Sequence, residues 1–199
     1  MDPYIYPGTS VLRNLRDIRD LDLLSKFEMD MTTRRLGELA RYPTPGRFDA
    51  QHIQAIHRHI FQDVYAWAGE FRTVKISRSG QFPFAFSQHI HPSLDKLSGD
   101  LERERYLGNI ILPRFCNRAA HYMGELNAIH PFRDGNGRTQ REFIRQLARW
   151  NGYSLDWSRV SRDEMTQASQ NSFQRGDNTR LEKILQTALD NEQNRAKIS

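Results

Sequence analysis

One connection between two predicted helices is dense in polar groups and reads HPFRDGNGRTQR over residues 130–141. The helix before it must stop near His130, because Pro131 follows and disfavours helical backbone in the residue that precedes it. The helix after it is predicted to begin at about Arg138. Phe132 stands among the polar residues and is expected to anchor the connection in the core. The chemistry of the chain is therefore expected at this junction.

Apolar residues recur at intervals of three and four along most of the chain, which is the spacing of one helical face. The predicted helices are residues 10–40 with a break near Asp20, 49–64, 90–105, 113–130, 138–150, 161–174 and 178–192. The sequence thus predicts an all-α fold in a single domain over residues 1–199. An N-terminal loop at about 1–9 and a frayed tail at about 192–199 complete it.

Residues 70–88 have a different period. Apolar and polar side chains alternate over 72–77 and 82–86, and Ser79-Gly80 lies between the two runs. Such a pattern predicts a β-hairpin. Pro83 lacks a backbone N–H, which restricts its strand to a sheet edge.

Composition excludes several classes of protein. Hydrophobic residues make up 38% and charged residues 27% of the 199, which is typical of a globular protein rather than a disordered one. The single cysteine, Cys116, excludes an internal disulfide and a cysteine-rich zinc site, and it is expected to fill core. No stretch approaches the roughly 20 apolar residues of a membrane span. The N-terminus shows no secretory signal, so we predict a cytoplasmic protein with no membrane partner.

Arginine dominates the positive charge. Of 29 basic residues 24 are Arg, and the formal net charge is +5. Arg binds phosphate through two parallel hydrogen bonds, so this excess favours a phosphate-bearing ligand. The charge is modest and no dense basic run exists, so a solvated surface is the alternative.

Each residue type in 130–141 has a chemical reason to be there. Gly135 and Gly137 permit backbone conformations in which successive amides form a nest for an anion, next to the N-terminus of the following helix. Arg138 and Arg141 are three residues apart and share a helix face, which suits a polyphosphate. Asp134 supplies the hard oxygen that magnesium takes alongside substrate phosphates.

His130 titrates near neutrality and is the natural general base. The alternative is an ordinary connection in which Gly and Asn only make turns. A Walker A loop fails because Arg138-Thr139 stands where Lys-Ser/Thr is needed. A calcium loop from Asp134 fails because Thr139 and Arg145 stand where Gly and Glu are needed.

The complete segment resembles the signature of the Fic family, His-Pro-Phe-x-Asp/Glu-Gly-Asn-Gly-Arg-x-x-Arg, and matches it at every defined position. Trp67-Ala68-Gly69, the hairpin and the flanking helices are similar to a stand-alone Fic protein. The resemblance implies a Fic fold: a helical bundle with one hairpin, called the flap. It also implies an enzyme that moves AMP from ATP to a Ser, Thr or Tyr hydroxyl of a target protein.

The resemblance also implies roles for single residues. His130 would deprotonate the target hydroxyl and Asp134 would hold Mg²⁺. The nucleotide-binding residues would be Gly135, Asn136 and Gly137 through their amides, with help from the Asn136 side chain, together with Arg138 at the β-phosphate and Arg141 at the γ-phosphate. A target strand would add to the flap, with Lys75, Ile76, Ser77 and Phe84 near the nucleotide or target. Asn171 and Phe173 are candidates for the adenosine pocket.

Family members of this kind are inhibited by a helix with the pattern Ser/Thr-x-x-x-Glu-Gly/Asn. In this chain Ser98 has Glu102 four residues on, but Arg103 follows, so the pattern is incomplete. A small separate antitoxin whose helix contacts Arg141 is therefore expected, and a bacterial type II topoisomerase is the implied target. Two alternatives stay open. One is a Fic-type phosphotransferase or AMP-removing enzyme, the former disfavoured by Gly137, where phosphotransferases carry Lys. The other is an Arg-rich nucleic-acid-binding module, which would need neither His130 nor Asp134.

Overall fold

The computed structural model describes residues 2–78 and 82–189. Its helices are α1 (Leu21–Arg41), α2 (Ala50–Phe61), α3 (Ile90–Arg103), α4 (Leu112–Ile129), α5 (Asn136–Trp150), α6 (Arg162–Arg175) and α7 (Thr179–Leu189). The strands β1 (Ser77–Arg78) and β2 (Phe82–Pro83) form one antiparallel pair. The predicted all-α fold with one hairpin is confirmed.

Helix α4 runs through the core and contacts α3, α5, α6 and α7. The side chains that it buries almost completely are Phe115, Cys116, Ala119, Ala120, Tyr122, Met123 and Leu126. Each large apolar side chain buried in this way stabilises the fold by about 1.5–3 kcal/mol. Burial raises the pKa of the Cys116 thiol to about 12, so at neutral pH it is an uncharged core group, as predicted. His130 directly follows the last residue of α4, so the packing of α4 in the core sets the position of His130.

Residues 10–20 are not helical, and that part of the predicted helix 10–40 is wrong. Asn14 is the physical reason. Its side-chain oxygen accepts from the amides of Arg16 and Ile18, and its amide nitrogen donates to the carbonyls of Leu12 and Ile18. These bonds replace helical ones, as asparagine side chains often do. Helix α1 begins only at Leu21, where the Asp20 carboxylate caps the Leu23 N–H.

The hairpin is shorter than the runs 72–77 and 82–86 predict. Its paired residues are Ser77 with Pro83 and Arg78 with Phe82, and Phe84 N–H adds a bond to Ile76 O. The predicted turn at Ser79-Gly80 lies outside the described residues. Each strand has one neighbour, so the hairpin has the open edge that Pro83 predicts.

Several other boundaries differ from the prediction or lie outside the described residues. The motif helix α5 begins at Asn136 rather than Arg138, because Gly135 turns the chain with a positive φ. Residues 190–199, with the predicted tail, lie outside the described part, as does Met1 of the N-terminal loop. In that loop Ile5 pairs with Leu12 as an isolated bridge. Among the described residues no helix combines the length and hydropathy needed to cross a membrane.

Candidate functional site

Gly135 makes the sharp turn between α4 and α5 possible. Its φ is +79°, in the left-handed region, and a Cβ there would stand 2.3 Å from the ring of Phe61. Both the conformation and the lack of space select glycine at this position. The backbone therefore approaches Phe61 more closely than any side chain would allow.

The Asn136 side chain holds the connection from inside. Its Oδ1 accepts from Phe132 N–H at 2.9 Å, and its Nδ2 donates to Phe132 O at 2.8 Å. The side chain is buried and fixes the loop, and its expected help in holding phosphate stays a prediction. Thr139 adds a bond from its hydroxyl to Gly135 O. These bonds hold the loop against the start of α5.

His57 on α2 fixes the other side of the loop. Its Nδ1 accepts from Gly69 N–H at 2.8 Å, so Nε2 carries the proton and donates to Asp134 O at 3.0 Å. The imidazole stacks on Phe132 with 3.8 Å between ring centroids. Complete burial lowers the pKa of His57 to about 3, so the ring is neutral at physiological pH. His57 is therefore a structural histidine.

The N-terminus of α5 has the form of an anion site. Gly135 is its N-cap and has no side chain, so no side-chain cap bonds the first amides in the described structure. Unpaired amides and the positive end of the helix dipole favour a negatively charged group here. The Asp134 carboxylate lies beside them and accepts from Gly135 N–H at 2.5 Å. Burial against the protein and the charge of Glu28 raise the pKa of Asp134, although the residue is open to the cleft.

Arg138 crosses from α5 to α1. Its guanidinium donates to Glu28 Oε1 at 2.6 Å and to Thr32 Oγ1 at 3.2 Å, and its Cζ lies 4.6 Å from the centre of the Phe61 ring. Tyr65 also donates its hydroxyl to Glu28. Arg138 is thus held at the edge of the anion site in a fixed orientation.

Arg141 lies one turn further along α5 and is partly buried. Within the described residues its guanidinium has neither an ion pair nor a hydrogen bond. Burial, with the charges of Arg138 and Arg162, lowers the pKa of Arg141. A cation in these surroundings favours a bound anion, which would relieve the repulsion.

His130 ends α4 in the left-handed region, with φ 49° and ψ 62°. A non-glycine residue in this conformation costs roughly 1–2 kcal/mol, and such strain is typical of functional sites. Its Nδ1 lies 3.2 Å from Asn127 O, so the proton on Nδ1 leaves the lone pair on Nε2. The ring stacks on Phe84 of the hairpin with 3.7 Å between centroids.

The other hairpin and pocket candidates lie at different places. Lys75 places its ammonium 4.8 Å from the Phe86 ring, and Ser77 is paired in β1. Phe173 packs on Phe84 at 4.6 Å, which brings it to the His130 end of the site. Asn171 donates its amide to Asp177, so it is engaged within the α6–α7 turn.

Helix α1, the loop and the start of α6 enclose a cleft of about 980 Å³. Its charged and aromatic lining includes Glu28, Tyr65, Arg133, Asp134, Arg138, Arg141, Trp157 and Arg162. Glu28, Tyr65 and Arg162 were not predicted as site residues. Glu28 and Thr32 share one face of α1 at a spacing of four, but nothing local pairs them with Arg138, which is 110 residues away from Glu28.

These features define a class of helical protein in which a Gly-rich helix start follows a histidine at a helix end, and a carboxylate and two arginines line one cleft. Residues 47–148 match the model of the Fic/DOC family, and the chain belongs to that family. It is 46% identical over 172 residues to the protein adenylyltransferase VbhT of Bartonella schoenbuchensis. The match covers 86% of this chain and 36% of VbhT, so the chain spans about a third of that relative.

Other relatives match over nearly their whole length. The chain is 38% identical to a protein of Escherichia coli K12 named "Probable protein adenylyltransferase Fic", over 92% of this chain and 90% of that one. Among solved structures, BepC of Bartonella tribocorum with bound AMPPNP superposes with a TM-score of 0.88 at 27% identity, over 93% of this chain and 95% of BepC. An ADP-bound Fic domain from Bartonella quintana gives 0.88 at 29% identity, over 93% of each chain.

Proposed function

We propose that this protein transfers AMP from ATP to a hydroxyl group of a target protein. One observation carries the proposal: Asp134, Arg138 and Arg141 line a single cleft, the uncapped N-terminus of α5 lies between Asp134 and Arg138 in the chain, and His130 lies at the other end of the same loop. The adenylyltransferase names of its relatives and the nucleotides bound to similar structures support it.

His130 is the general base in this reaction. With a proton on Nδ1 held by Asn127 O, Nε2 accepts the proton of the target hydroxyl. The hydroxyl oxygen then attacks the α-phosphorus of ATP, and the bond from that phosphorus to the bridging oxygen of the β-phosphate breaks. Pyrophosphate leaves with its electron pair. The position of Nδ1 against a backbone carbonyl fixes both the tautomer and the direction of the ring.

The chain binds the triphosphate mainly through fixed positive groups. The α5 amides, with Arg138 and Arg141, complement its charge, and a preorganised set of this kind stabilises charge that develops on the leaving group. The described residues contain no cluster of three or more metal-ligating side chains. The carboxylates of Asp134 and of Glu28 near it fit a Mg²⁺ ion that also binds substrate phosphates. Mg²⁺ bound there would neutralise part of the phosphate charge.

A transfer assay with ATP labelled at one phosphate or another tests this proposal directly. The purified protein would be incubated with Mg²⁺, bacterial lysate and ATP labelled at either the α- or the γ-phosphate, with His130→Ala in parallel. We expect a protein band labelled only from the α-position and lost in the variant. Label from the γ-position would instead indicate a phosphotransferase. Protein label from neither position, with ATP binding intact, would contradict the transfer reaction.

We also propose that a separate antitoxin controls the site and that the protein is the toxin of the pair. Arg141 supports this, because its guanidinium has no acidic partner in the described structure and faces the open cleft. A helix carrying a glutamate could pair with it and prevent productive binding of ATP. Purified protein that becomes active only after truncation would contradict this view, since inhibition would then come from within the chain.

We further propose a bacterial type II topoisomerase as the target and the cytoplasm as the compartment. A bacterial type II topoisomerase is the target implied by family resemblance, and identification of the α-labelled band by mass spectrometry tests it. A cytoplasmic location suits an enzyme that consumes ATP. No direct contact with nucleic acid is expected, and retention of the protein on DNA at physiological salt would contradict that.

A further inference from the structure

Arg72 is among the largest fully buried side chains of the described structure, with 2% of its surface exposed. Within that structure it forms no ion pair with a carboxylate. Its partners are backbone carbonyls: Nε donates to His130 O, Nη1 to Val74 O, and Nη2 to Ala85 O and Ile129 O, at 2.5–3.2 Å. A buried charge satisfied only by carbonyls is costly, so these contacts need an explanation.

The end of α4 explains half of them. The last carbonyls of a helix have no partner within it and carry the negative end of its dipole. Pro131 prevents the helix from continuing, and Arg72 bonds the carbonyls of Ile129 and His130 instead. The Arg72 N–H also donates to Pro131 O at 2.9 Å. The side chain therefore sits against the left-handed backbone of His130 and stabilises it.

The hairpin explains the other half. Val74 precedes β1 and Ala85 follows β2, so one guanidinium joins both arms at the base of the hairpin. Ala85 N–H donates to Ala128 O at 3.3 Å, which adds a second tie to α4. Between these ties Phe84 stacks on His130.

We infer that Arg72 is a positioning residue. Its one buried guanidinium holds the hairpin and the His130 backbone in a fixed relative position. It fixes the distance between Phe84 and the His130 ring, and with it the place at which a target hydroxyl meets the base. Within the described residues its guanidinium bonds only these four carbonyls, and so neither the α5 amides nor the arginines of the cleft. This inference rests on the proposed AMP transfer.

Arg72→Lys is the informative variant, because it keeps the charge but cannot reach four carbonyls in different directions. We expect kcat for AMP transfer to fall roughly 10–100-fold, as small misplacements of reacting groups do, while the Kd for ATP changes less than about 2-fold. Arg145→Lys is the matched control. Arg145 is a partly buried arginine that also bonds a backbone carbonyl, that of Leu39, but it pairs with Glu142 and lies in the second half of α5, away from the loop.

A measurement that needs no activity separates this inference from the proposed function. The ring protons of His130 should be shifted upfield in the NMR spectrum by the stacked Phe84, and Phe84→Leu calibrates the loss of that shift. We expect Arg72→Lys to lose most of it and Arg145→Lys to keep it. If wild type transfers no AMP, the proposed function fails while this readout still tests Arg72.

Three results would overturn the inference. One is an unchanged His130 shift in Arg72→Lys. Another is a loss of kcat no larger than in Arg145→Lys, or one matched by an equal loss of ATP affinity. The third is failure of both Arg72→Lys and Arg72→Gln to fold, because that would assign Arg72 to the stability of the fold alone.

Discussion

His130 has a strained backbone and a defined tautomer. Together they set the position and the protonation state of its Nε2 atom. His130→Ala removes the base without touching the amides of α5 or the two arginines. Loss of a general base typically costs 10²–10⁴-fold, so we expect AMP transfer to fall by about that factor. The affinity for ATP, measured by calorimetry, should stay within a few-fold of wild type. Loss of ATP binding would show that His130 has a structural role instead.

Gly135 is a second residue of the site, and a single added atom there is expected to change the stability of the fold. Gly135→Ala adds a Cβ that would stand 2.3 Å from the Phe61 ring, at a φ that alanine disfavours. We expect a loss of about 2–4 kcal/mol in unfolding free energy, the sum of left-handed strain and overpacking, measured by urea denaturation. Gly37→Ala is the control. Gly37 lies within α1 with no atom near its would-be Cβ, so alanine should stabilise the chain by about 0.5–1 kcal/mol.

One ion pair in the cleft links helices α1 and α5. Arg138→Ala would leave the Glu28 side chain, of which 14% is exposed, without its cation and near Asp134. We expect the unfolding free energy to fall by about 1–3 kcal/mol, the usual penalty for a mostly buried group that loses its partner. Urea denaturation measures it.

A double variant separates this pairing from other losses. Adding Glu28→Gln to Arg138→Ala removes the unpaired charge, so part of the lost stability should return. Arg133→Ala is the control for the loss of an arginine that pairs with an acid elsewhere at the edge of the site, since Arg133 pairs with Asp2. If the double variant were less stable by the full sum of the single losses, the two side chains would not be coupled.

At the same scale, the sequence predicts elements whose signals are local. The α4–α5 junction could be placed because Pro131 ends one helix and the chemistry-bearing residues lie within 130–141. The failure at residues 10–20 has a local cause too, since apolar spacing favours helix there but the Asn14 side chain competes for the backbone. The strands were predicted too long because the alternation extends beyond the paired residues, before Ser77 in one strand and after Pro83 in the other.

Long-range contacts of the site could not be predicted, because their signals are not in the local pattern. Arg72 bonds carbonyls 57 and 58 residues away, and every residue type offers a carbonyl. The bond from His57 to Asp134 O spans 77 residues and leaves no mark on spacing. Such residues look like ordinary polar positions until the fold brings their partners to them.

For the molecule as a whole, a buried neutral histidine makes folding depend on pH. The pKa of His57 is about 3 in the folded chain and about 6.5 in the unfolded chain. Below pH 6.5 this imidazole therefore binds a proton in the unfolded chain but stays neutral in the folded chain. Stability is therefore lost as pH falls from about 6.5. By this linkage His57 alone costs about 2 kcal/mol between pH 7.5 and pH 5. Burial lowers the pKa of His52 as well, which adds a loss of the same sign.

Urea denaturation of wild type and His57→Gln between pH 5 and 7.5 tests this contribution, in a range above the ordinary pKa values of the carboxyl groups. The variant should be less stable at pH 7.5, because Gly69 N–H and Asp134 O lose a fitted partner, yet its stability should fall less steeply towards pH 5. Ile60→Val is the control for destabilisation alone. It weakens the same core by about 0.5–1.5 kcal/mol and titrates nothing, so its curve should run parallel to wild type. A His57→Gln curve that is also parallel to wild type would show that His57 is not the source of the acid sensitivity.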